Sequence, residues 1–351
     1  MPFGMSFAAL SAMSRPAADA PGPGLSAIRF CRPIPPGRMW SHGAALCYGP
    51  AGRETTIGTE PAMTTALDDA MTLLRPWIGT VRVVEDEISL SMVRRIAATL
   101  DVDPDAFKPG TELPPHWFSM FFADIARQSL LREDGHAKGG VVLPPIPMPR
   151  RMGAGRRLKV MGRLRVAVPA VRKSEVVDIV PKTGRTGNIF VLTLRNTVEQ
   201  ASKVLAVDEF DAIYREATPP GQKTAATVPR AAPTDQAWTD TIAMSEPLVF
   251  RYSAITWNAH RIHYDSDYCR DVEGYPHTVQ NGGLTMQLMI DAALKRAPAE
   301  LRGLTARLVN PLFVGDSVKL CGYAAVDNRM RVFAADKNGH LCGEMDLEFG
   351  A

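Results

Sequence analysis

Residues 251–265, the most informative stretch of this chain, read RYSAITWNAHRIHYD. Within it, Asn258, His260, His263 and Asp265 fall inside eight residues. A hydrophobic core excludes such polar groups unless they hydrogen-bond one another. Histidine is also the side chain whose ordinary pKa suits proton transfer near neutral pH. The stretch is therefore the first candidate for a chemical site.

Three interpretations of His260 and His263 compete. They could bind a metal ion, although no third ligand motif stands near them. They could be structural histidines of a loop. They could serve acid–base catalysis, with His263 as the stronger candidate, while the amide of Asn258 orients a water or a carbonyl without titrating. We favour the third interpretation and predict no metal site.

Hydrophobic patterning around this stretch predicts a helix followed by an antiparallel sheet. We expect a strand over residues 247–252, which places the polar stretch in the turn after it, and a helix over residues 283–295. Four later runs have strand character and are separated by turn residues; they cover residues 304–309, 317–326, 330–336 and 341–349.

The preceding half follows the same plan. Helical periodicity covers residues 64–79 and 85–101, a buried helix is expected at 117–122, and four prolines make residues 141–155 a loop. Strand-like runs joined by hairpin turns come next, at residues 157–168, 171–181, 189–200 and 203–214. Each half thus offers a helix followed by antiparallel strands, so the predicted fold class is α+β.

Composition divides the chain into segments. Residues 1–62 contain nine Pro, eight Gly and only three acids, so we predict a disordered N-terminal extension. It is either a targeting peptide or the product of an upstream start codon, and we favour the second explanation, with Met63 opening the working protein. Residues 217–241, rich in Pro, Ala and Thr, are predicted to link a domain at 63–216 to a domain at 242–351.

These residues, in this order, resemble the MaoC-like dehydratase and hydratase branch of the hotdog superfamily. That branch includes mesaconyl-C4-CoA and itaconyl-CoA hydratases and 3-hydroxyacyl-thioester dehydratases. The resemblance extends from about Trp77 to the C-terminus. Besides residues 251–265 it rests on separated motifs at His116-Trp117, Pro144 to Met152, Lys182 to Gly187, Tyr214 to Glu216 and Glu273 to Pro276.

The resemblance implies a double hotdog, in which two antiparallel sheets, each wrapped around a central helix, join side by side. It also implies that His263 matches the catalytic histidine of the family, and that Asn258 stands where related hydratases carry an aspartate. Since an amide cannot take a proton, we assign proton transfer to His263 and the positioning of water to Asn258. A second departure is the stretch from Gln280 to Gly283, where the wider superfamily often has His-Gly-Pro or His-Gly-Met; the glycine at 282 is kept and the histidine is not.

Gly282 and Gly283 directly precede the predicted helix. Backbone N–H groups at a helix start are unpaired and carry partial positive charge, so they can hold an oxyanion. Hydration of an enoyl thioester builds an enolate on the thioester oxygen, where such donors help. The alternative is that the two glycines only make the turn into the helix.

No acidic residue occurs from Gly135 to Ser174, a range with ten basic residues. We predict that Arg150 and Arg151, directed by the neighbouring prolines, bind the phosphates of coenzyme A or a substrate carboxylate. A solvated strand face is the alternative. His260 and Arg261 are predicted to make further contacts to the coenzyme A substrate.

The resemblance implies a hydro-lyase that adds water to a short-chain enoyl-CoA. The implied substrate is a branched C5-dicarboxylyl thioester, mesaconyl-C4-CoA or itaconyl-CoA, which gives citramalyl-CoA. The alternatives are a 3-hydroxyacyl-thioester dehydratase, a non-catalytic acyl-CoA-binding protein and a thioesterase, although hydrolysis would call for a carboxylate in place of Asn258. No cofactor is predicted, because the coenzyme A thioester is itself the substrate.

Composition excludes several other classes. With 46% hydrophobic and 22% charged residues, the 351-residue chain is typical of a globular protein. Its net charge of +3 disfavours a nucleic-acid partner, and the lack of any apolar run of about 18 residues disfavours a membrane span. The five scattered cysteines form no CxxC pair. We therefore predict a cytoplasmic enzyme with no nucleic-acid or membrane partner, and leave a homodimer open.

The composition of residues 1–62 generates a first prediction. Deletion of this segment is expected to leave folding and turnover intact, because it contributes little apolar surface to a core. The measurement is the melting temperature and kcat of the truncated protein beside those of the full chain. An insoluble or inactive truncation would contradict the prediction.

Overall fold

The computed structural model describes residues 61–138, 143–184, 187–216 and 229–350, without the side chains of residues 61–66, 152 and 184. The predicted extension at 1–62 therefore lies outside the described residues except for its last two positions, which begin a helix. Residues 217–228, about half of the predicted linker at 217–241, also lie outside them.

The described residues form five α-helices, ten strands and several short 3₁₀ helices. The helices are α1 (Pro61–Leu74), α2 (Leu90–Thr99), α3 (Glu246–Ile255), the single turn α4 (Ser266–Tyr268) and α5 (Gly282–Leu294). The strands are β1 (Val81–Asp86), β2 (Arg150–Val160), β3 (Ala170–Gly184), β4 (Gly187–Gln200), β5 (Lys203–Arg215), β6 (Trp238–Ala243), β7 (Glu300–Leu308), β8 (Ser317–Gly322), β9 (Arg329–Ala335) and β10 (Leu341–Gly350).

All ten strands belong to one antiparallel sheet with the order β1-β3-β4-β5-β2-β7-β10-β9-β8-β6. The five strands of each half, counted in chain order and read from the outer edge of the sheet inward, follow the order first, third, fourth, fifth, second. The two halves join where β2 pairs with β7. The chain is therefore an α+β double hotdog, as predicted, with the two sheets side by side.

Two hairpin turns explain how the predicted strand runs are joined. Ala201 and Ser202, between β4 and β5, both have positive φ, of 49° and 59°. Asp327 and Asn328, before β9, have φ of 48° and 59°. Two consecutive residues with positive φ form the tight turn whose twist matches that of the flanking strands. Both turns lie between predicted strand runs, whereas the middle of the turn predicted between the runs at 171–181 and 189–200, residues 185–186, lies outside the described residues.

The strand predicted over residues 247–252 is wrong, because these residues belong to α3. The Ser245 side chain accepts a hydrogen bond from the N–H of Leu248 and caps this helix, and a proline follows in its first turn. Val249, Tyr252 and Ile255 are the buried residues of α3. Their spacing of three is helical, and the short apolar run concealed it.

Two predicted boundaries also change. The proline-rich loop predicted over residues 141–155 ends earlier, because β2 begins at Arg150, directly after the last proline of that segment. The predicted linker at 217–241 overlaps β6, which begins at Trp238 and pairs with β8. Edge strands such as β6 are short and half exposed, so their apolar pattern is weak.

The central helix is α5, which packs against β7, β8, β9 and β10 and buries nine of its side chains. In the first half, the 3₁₀ helix Trp117–Met120 lies where a longer helix was predicted. His116, just before it, is 1% exposed, and its Nε2 lies 2.9 Å from Oδ1 of Asp291 on α5. The first half is thereby tied to the central helix. No helix in the described ranges is both long and apolar enough to cross a membrane.

The cap on α3 generates a second prediction. Ser245→Ala is expected to destabilise the protein by about 1 kcal/mol, because the N–H of Leu248 loses its acceptor. The measurement is the free energy of unfolding in urea. Ser245→Thr retains a hydroxyl acceptor and serves as the control; equal losses in both variants would contradict the capping role.

Candidate functional site

His263 lies at the end of a single 3₁₀ turn, Arg261–His263, that follows α3. Its Nδ1 is 2.8 Å from the carbonyl oxygen of Val279. A carbonyl can only accept a hydrogen bond, so Nδ1 of the neutral ring carries the proton and Nε2 carries the lone pair. The backbone thus fixes the tautomer that a general base requires.

Burial lowers the pKa of His263 below its ordinary value of 6.5, and the hydrogen bond to Val279 offsets this only in part. The imidazole is therefore neutral at neutral pH. A neutral, half-buried ring whose Nε2 has no partner among the described residues can take a proton from a water molecule.

Asn258 lies in the turn between α3 and His263, with its backbone N–H bonded to the carbonyl of Ser253. Its Oδ1 accepts a hydrogen bond from the N–H of His260, 3.0 Å away. Within the described ranges the amide nitrogen has no protein partner. The side chain therefore shapes the histidine turn through its oxygen and leaves its N–H₂ group as a donor for a ligand.

The start of α5 is open to a ligand. Asn281 precedes the first turn but makes no side-chain cap, because its amide bonds the hydroxyl of Ser253 instead. Gly283 is exposed, and the first helical N–H groups are left without a capping acceptor. The predicted role of Gly282 and Gly283 as oxyanion donors stays a prediction.

Close neighbours explain why both positions are glycine. A Cβ at Gly282 would lie 2.6 Å from Cδ1 of Leu308, and one at Gly283 would lie 2.8 Å from the hydroxyl of Tyr252. Tyr252, a buried residue of α3, therefore reaches the start of α5. Sequence reasoning missed this tyrosine, because it was assigned to a strand.

Hydrogen bonds at Val279 and at Ser253 bring His263 and the start of α5 together. The Val279 carbonyl that holds His263 lies three residues before Gly282 in the chain. Ser253 bonds both the N–H of Asn258, through its carbonyl, and the side chain of Asn281, through its hydroxyl. The structure thus collects His263, Asn258 and the two glycines around one segment, residues 279–283.

The ring of His260 packs between the rings of two other histidines and is half-buried. Its ring centroid is 4.1 Å from that of His136 and 5.7 Å from that of His263. Burial, together with the charges of these two rings, lowers the pKa of His260 to about 3. As a neutral group it offers a ligand a hydrogen bond but no charge.

The loop that carries His136 was missed by sequence reasoning. Arg261 donates its N–H to the carbonyl of Asp134, and a Cβ at Gly135 would collide with the carbonyl of Ala259. Gly135 also has a φ of 89°, which favours glycine. The Asp-Gly pair at 134–135 was the available signal, since this dipeptide is typical of a turn.

Arg261 is occupied within the protein. Its guanidinium lies 2.7 Å from Oδ2 of Asp265 and 4.3 Å above the ring of Tyr268. These contacts stiffen the turn that carries His263. Its predicted contact with coenzyme A stays a prediction.

Asp134, His136 and His260 are the one group of described residues with the spacing of metal ligands, since their ligand atoms all lie within 4.8 Å of one another. The carboxylate of Asp134 already accepts bonds from Arg132 and from the N–H of His136. Burial opposes its ionisation, but His136 outweighs burial and lowers the pKa of Asp134 to about 2. The carboxylate is thus engaged in the loop, and the predicted absence of a metal stays a prediction.

Arg150 and Arg151 are consecutive residues of β2, so their side chains point to opposite faces of the sheet. Nη2 of Arg150 lies 3.7 Å from Oε2 of Glu273, beyond the histidine turn. Arg151 is exposed and pairs in register with Tyr214. A ligand on one face of β2 can therefore contact at most one of these two arginines.

Most of the acid-free basic run is neutralised by acids from other parts of the chain. Its ion-paired members are Arg156 with Asp208, Arg157 with Asp211 and Glu209, Arg163 with Glu300, Arg165 with Glu112, Arg172 with Asp124 and Lys173 with Glu199. Cross-strand neighbours supply several of these acids, which a one-dimensional count cannot show. The run is therefore no continuous positive surface.

Comparison with known proteins relates the sequence of this chain to enzymes that act on thioesters. Residues 116–314 match the family model for hydroxyacyl-thioester dehydratase type 2. A mesaconyl-C(4)-CoA hydratase of Chloroflexus aurantiacus is 38% identical over 238 residues, which cover 68% of this chain and 84% of the relative.

Solved structures agree with the fold. A MaoC-like dehydratase of Phytophthora capsici superposes with a TM-score of 0.59 at 14% identity and covers 80% of this chain and 99% of its own. A Mycobacterium tuberculosis protein described as a double hotdog superposes with a TM-score of 0.51 at 13% identity and covers 77% and 95%. At such low identity these likenesses speak for the fold alone.

The buried position of His260 generates a third prediction. The unfolded ring titrates near pH 6.5 and the folded ring near 3, so the unfolded state binds more protons between these values and stability falls as pH is lowered through them. His260→Gln should abolish about 1–2 kcal/mol of the loss in unfolding free energy between pH 7 and pH 5.

The measurement is urea unfolding at both pH values, with His277→Gln, at an exposed position, as the control. If His260→Gln lost as much unfolding free energy between pH 7 and pH 5 as the unmodified protein, this would show that the ring is protonated in the folded state.

Proposed function

Because the chain belongs to the hydroxyacyl-thioester dehydratase type 2 family, we propose that it adds water to the double bond of a short-chain enoyl-CoA. Membership confirms the resemblance seen in the sequence and makes the chain an enzyme of the hydratase and dehydratase class. The hydrogen bond from Nδ1 of His263 to the Val279 carbonyl is the observation that supports the proposed chemistry most directly.

In the proposed reaction, Nε2 of His263 takes a proton from water while the oxygen of that water attacks the β-carbon of the enoyl thioester. The electrons of the double bond move onto the thioester oxygen and form an enolate. N–H groups of Gly282 and Gly283 stabilise this charge at the open start of α5. The enolate collapses when its α-carbon takes the proton back from His263, which restores the neutral ring.

Asn258 serves this reaction as a donor. With its oxygen committed to the turn at His260, its N–H₂ group is the part that can hold the attacking water or the thioester. An amide of this kind orients the ligand and leaves the proton to His263. This is a one-base mechanism.

For the substrate, we propose a branched C5-dicarboxylyl thioester of the kind named for the Chloroflexus relative, mesaconyl-C4-CoA, with a citramalyl thioester as product. Itaconyl-CoA belongs to the same chemical class. The family description favours a second candidate, a dehydratase that removes water from monocarboxylic 3-hydroxyacyl thioesters. The two differ in whether the acyl group carries a second carboxylate.

We propose that Arg151 binds the phosphates of coenzyme A, because its side chain is exposed at the start of β2. The cytoplasmic location predicted from the sequence remains a proposal. So does the homodimer, which the sequence leaves open. The three described cysteines, Cys269, Cys321 and Cys342, are free thiols, which agrees with a reducing compartment.

The fourth prediction tests the base. His263→Ala is expected to lower kcat by about 10²–10⁴-fold with the fold intact, because proton transfer loses its acceptor. The assay follows the loss of the conjugated thioester absorbance of mesaconyl-C4-CoA and crotonyl-CoA. His340→Ala is the control, since that ring pairs with Asp336 in the turn before β10.

Two further measurements separate a catalytic role from a structural one. Asn258→Asp keeps an oxygen acceptor for the N–H of His260 and should keep the melting temperature, whereas Asn258→Ala should lower both stability and turnover. The kcat/KM of the unmodified enzyme should be constant around pH 7. It should fall only when the pH is lowered through the depressed pKa of His263. Near-normal turnover in folded His263→Ala would remove this residue from the mechanism.

A further inference from the structure

Arg156 is the one arginine of the basic run that is buried in the interior. It lies on β2 and is 9% exposed. Its Nε donates to Oδ1 of Asp208, 2.8 Å away. Burial opposes its charge, but Asp208 outweighs burial and raises the pKa of the guanidinium, so Arg156 is always charged.

The far end of this guanidinium is poorly satisfied. Nη1 reaches only the thioether sulfur of Met286, at 4.0 Å, and a thioether is a weak acceptor. Nη2 is buried and has no hydrogen-bond partner within the described part of the chain. A buried charged donor without an acceptor is costly. The Nη1–Nη2 edge has the fork geometry that binds a carboxylate through two parallel hydrogen bonds.

This edge lies one helical turn from the proposed oxyanion site. Met286 follows Gly283 by three residues on α5, a rise of about 4.5 Å. Tyr252 connects the same two points, because its hydroxyl borders Gly283 and its pKa is influenced by the charge of Arg156. In a C4-linked dicarboxylyl thioester, three carbon–carbon bonds between the two carboxyl carbons span a similar distance, about 4 Å.

We propose that Arg156 binds the free carboxylate of a dicarboxylyl-CoA substrate while the thioester oxygen lies at the start of α5. Asp208 holds the guanidinium by its Nε edge and aims the other edge toward the acyl group, and Phe118 and Met286 form apolar walls beside it. This inference rests on the proposed function for the position of the thioester. It gives the site a determinant for dicarboxylic over monocarboxylic acyl groups.

The test measures binding rather than turnover, with succinyl-CoA and butyryl-CoA as probes. Their acyl chains have the same length, and they differ in whether a carboxylate or a methyl group ends the chain. Calorimetric titration of the full chain should show succinyl-CoA binding about 10-fold or more tightly, as expected for a charge-assisted hydrogen bond. Arg156→Gln should remove this preference by weakening succinyl-CoA alone.

Arg157→Gln is the matched control. This neighbouring arginine is ion-paired with Asp211 and Glu209 on the opposite face of β2, so the preference should survive its loss. If Arg156→Gln fails to fold because Asp208 is left unpaired, the double variant Arg156→Gln/Asp208→Asn removes both charges and should show the same loss of preference.

The outcomes of the two proposals are distinct. Equal affinity of the unmodified protein for the two thioesters, or a preference that survives in folded Arg156→Gln, overturns the carboxylate subsite even if crotonyl-CoA is hydrated. A preference lost with Arg156 supports the subsite even if no enoyl-CoA is hydrated, a result that would overturn the proposed reaction instead.

Discussion

The antiparallel ladder between β2 and β7 is the constraint on which the remaining structure depends. It pairs residues 155–159 with residues 303–307 and turns two five-stranded halves into one sheet. The approach is close at Gly303, where a Cβ would lie 2.9 Å from the carbonyl oxygen of Leu158. Because the strands meet here, side chains of β2 reach the central helix of the other half, and Arg156 contacts Met286. One large hydrophobic cluster therefore contains residues of both halves.

The site depends on a second crossing between the halves. The loop at 132–136 lies against the histidine turn through backbone contacts at Gly135, and His136 stacks on His260. The first half thus contributes support and an interior arginine, while the second half contributes the base and the helix start. The resulting burial lowers the pKa of both His260 and His263 and keeps the two rings neutral at neutral pH.

Much of the fold could be predicted from local signals, and the exceptions have physical causes. Strand runs rich in β-branched residues and broken by short turns give a strong local signal, and the ten-stranded sheet confirms most of them. Tyr252 was misassigned because the short, mostly apolar segment 247–252 is ambiguous between strand and helix, and the cap at Ser245 was the deciding signal. The edge strand β6 was missed because half-exposed strands carry few apolar residues.

For the site, sequence reasoning could find residues that are close in the chain, and it placed His263, Asn258 and the two glycines together. It could not find partners that meet only in space. Arg156 was one of ten basic residues in an acid-free run, and nothing in the sequence separates it from Arg157. What separates them is the direction of the side chain from the strand and the acids on neighbouring strands, which are properties of the folded sheet.

The capping pattern of the helices has a consequence for stoichiometry. Serine side chains close the starts of α2 and α3, at Ser89 and Ser245, whereas Asn281 leaves the start of α5 open. Only an open start can hold a thioester oxygen, so the duplicated strand order does not produce two equivalent reaction centres in these described helices. In the proposed reaction, each chain would therefore carry its oxyanion site at the start of α5 alone among these helices.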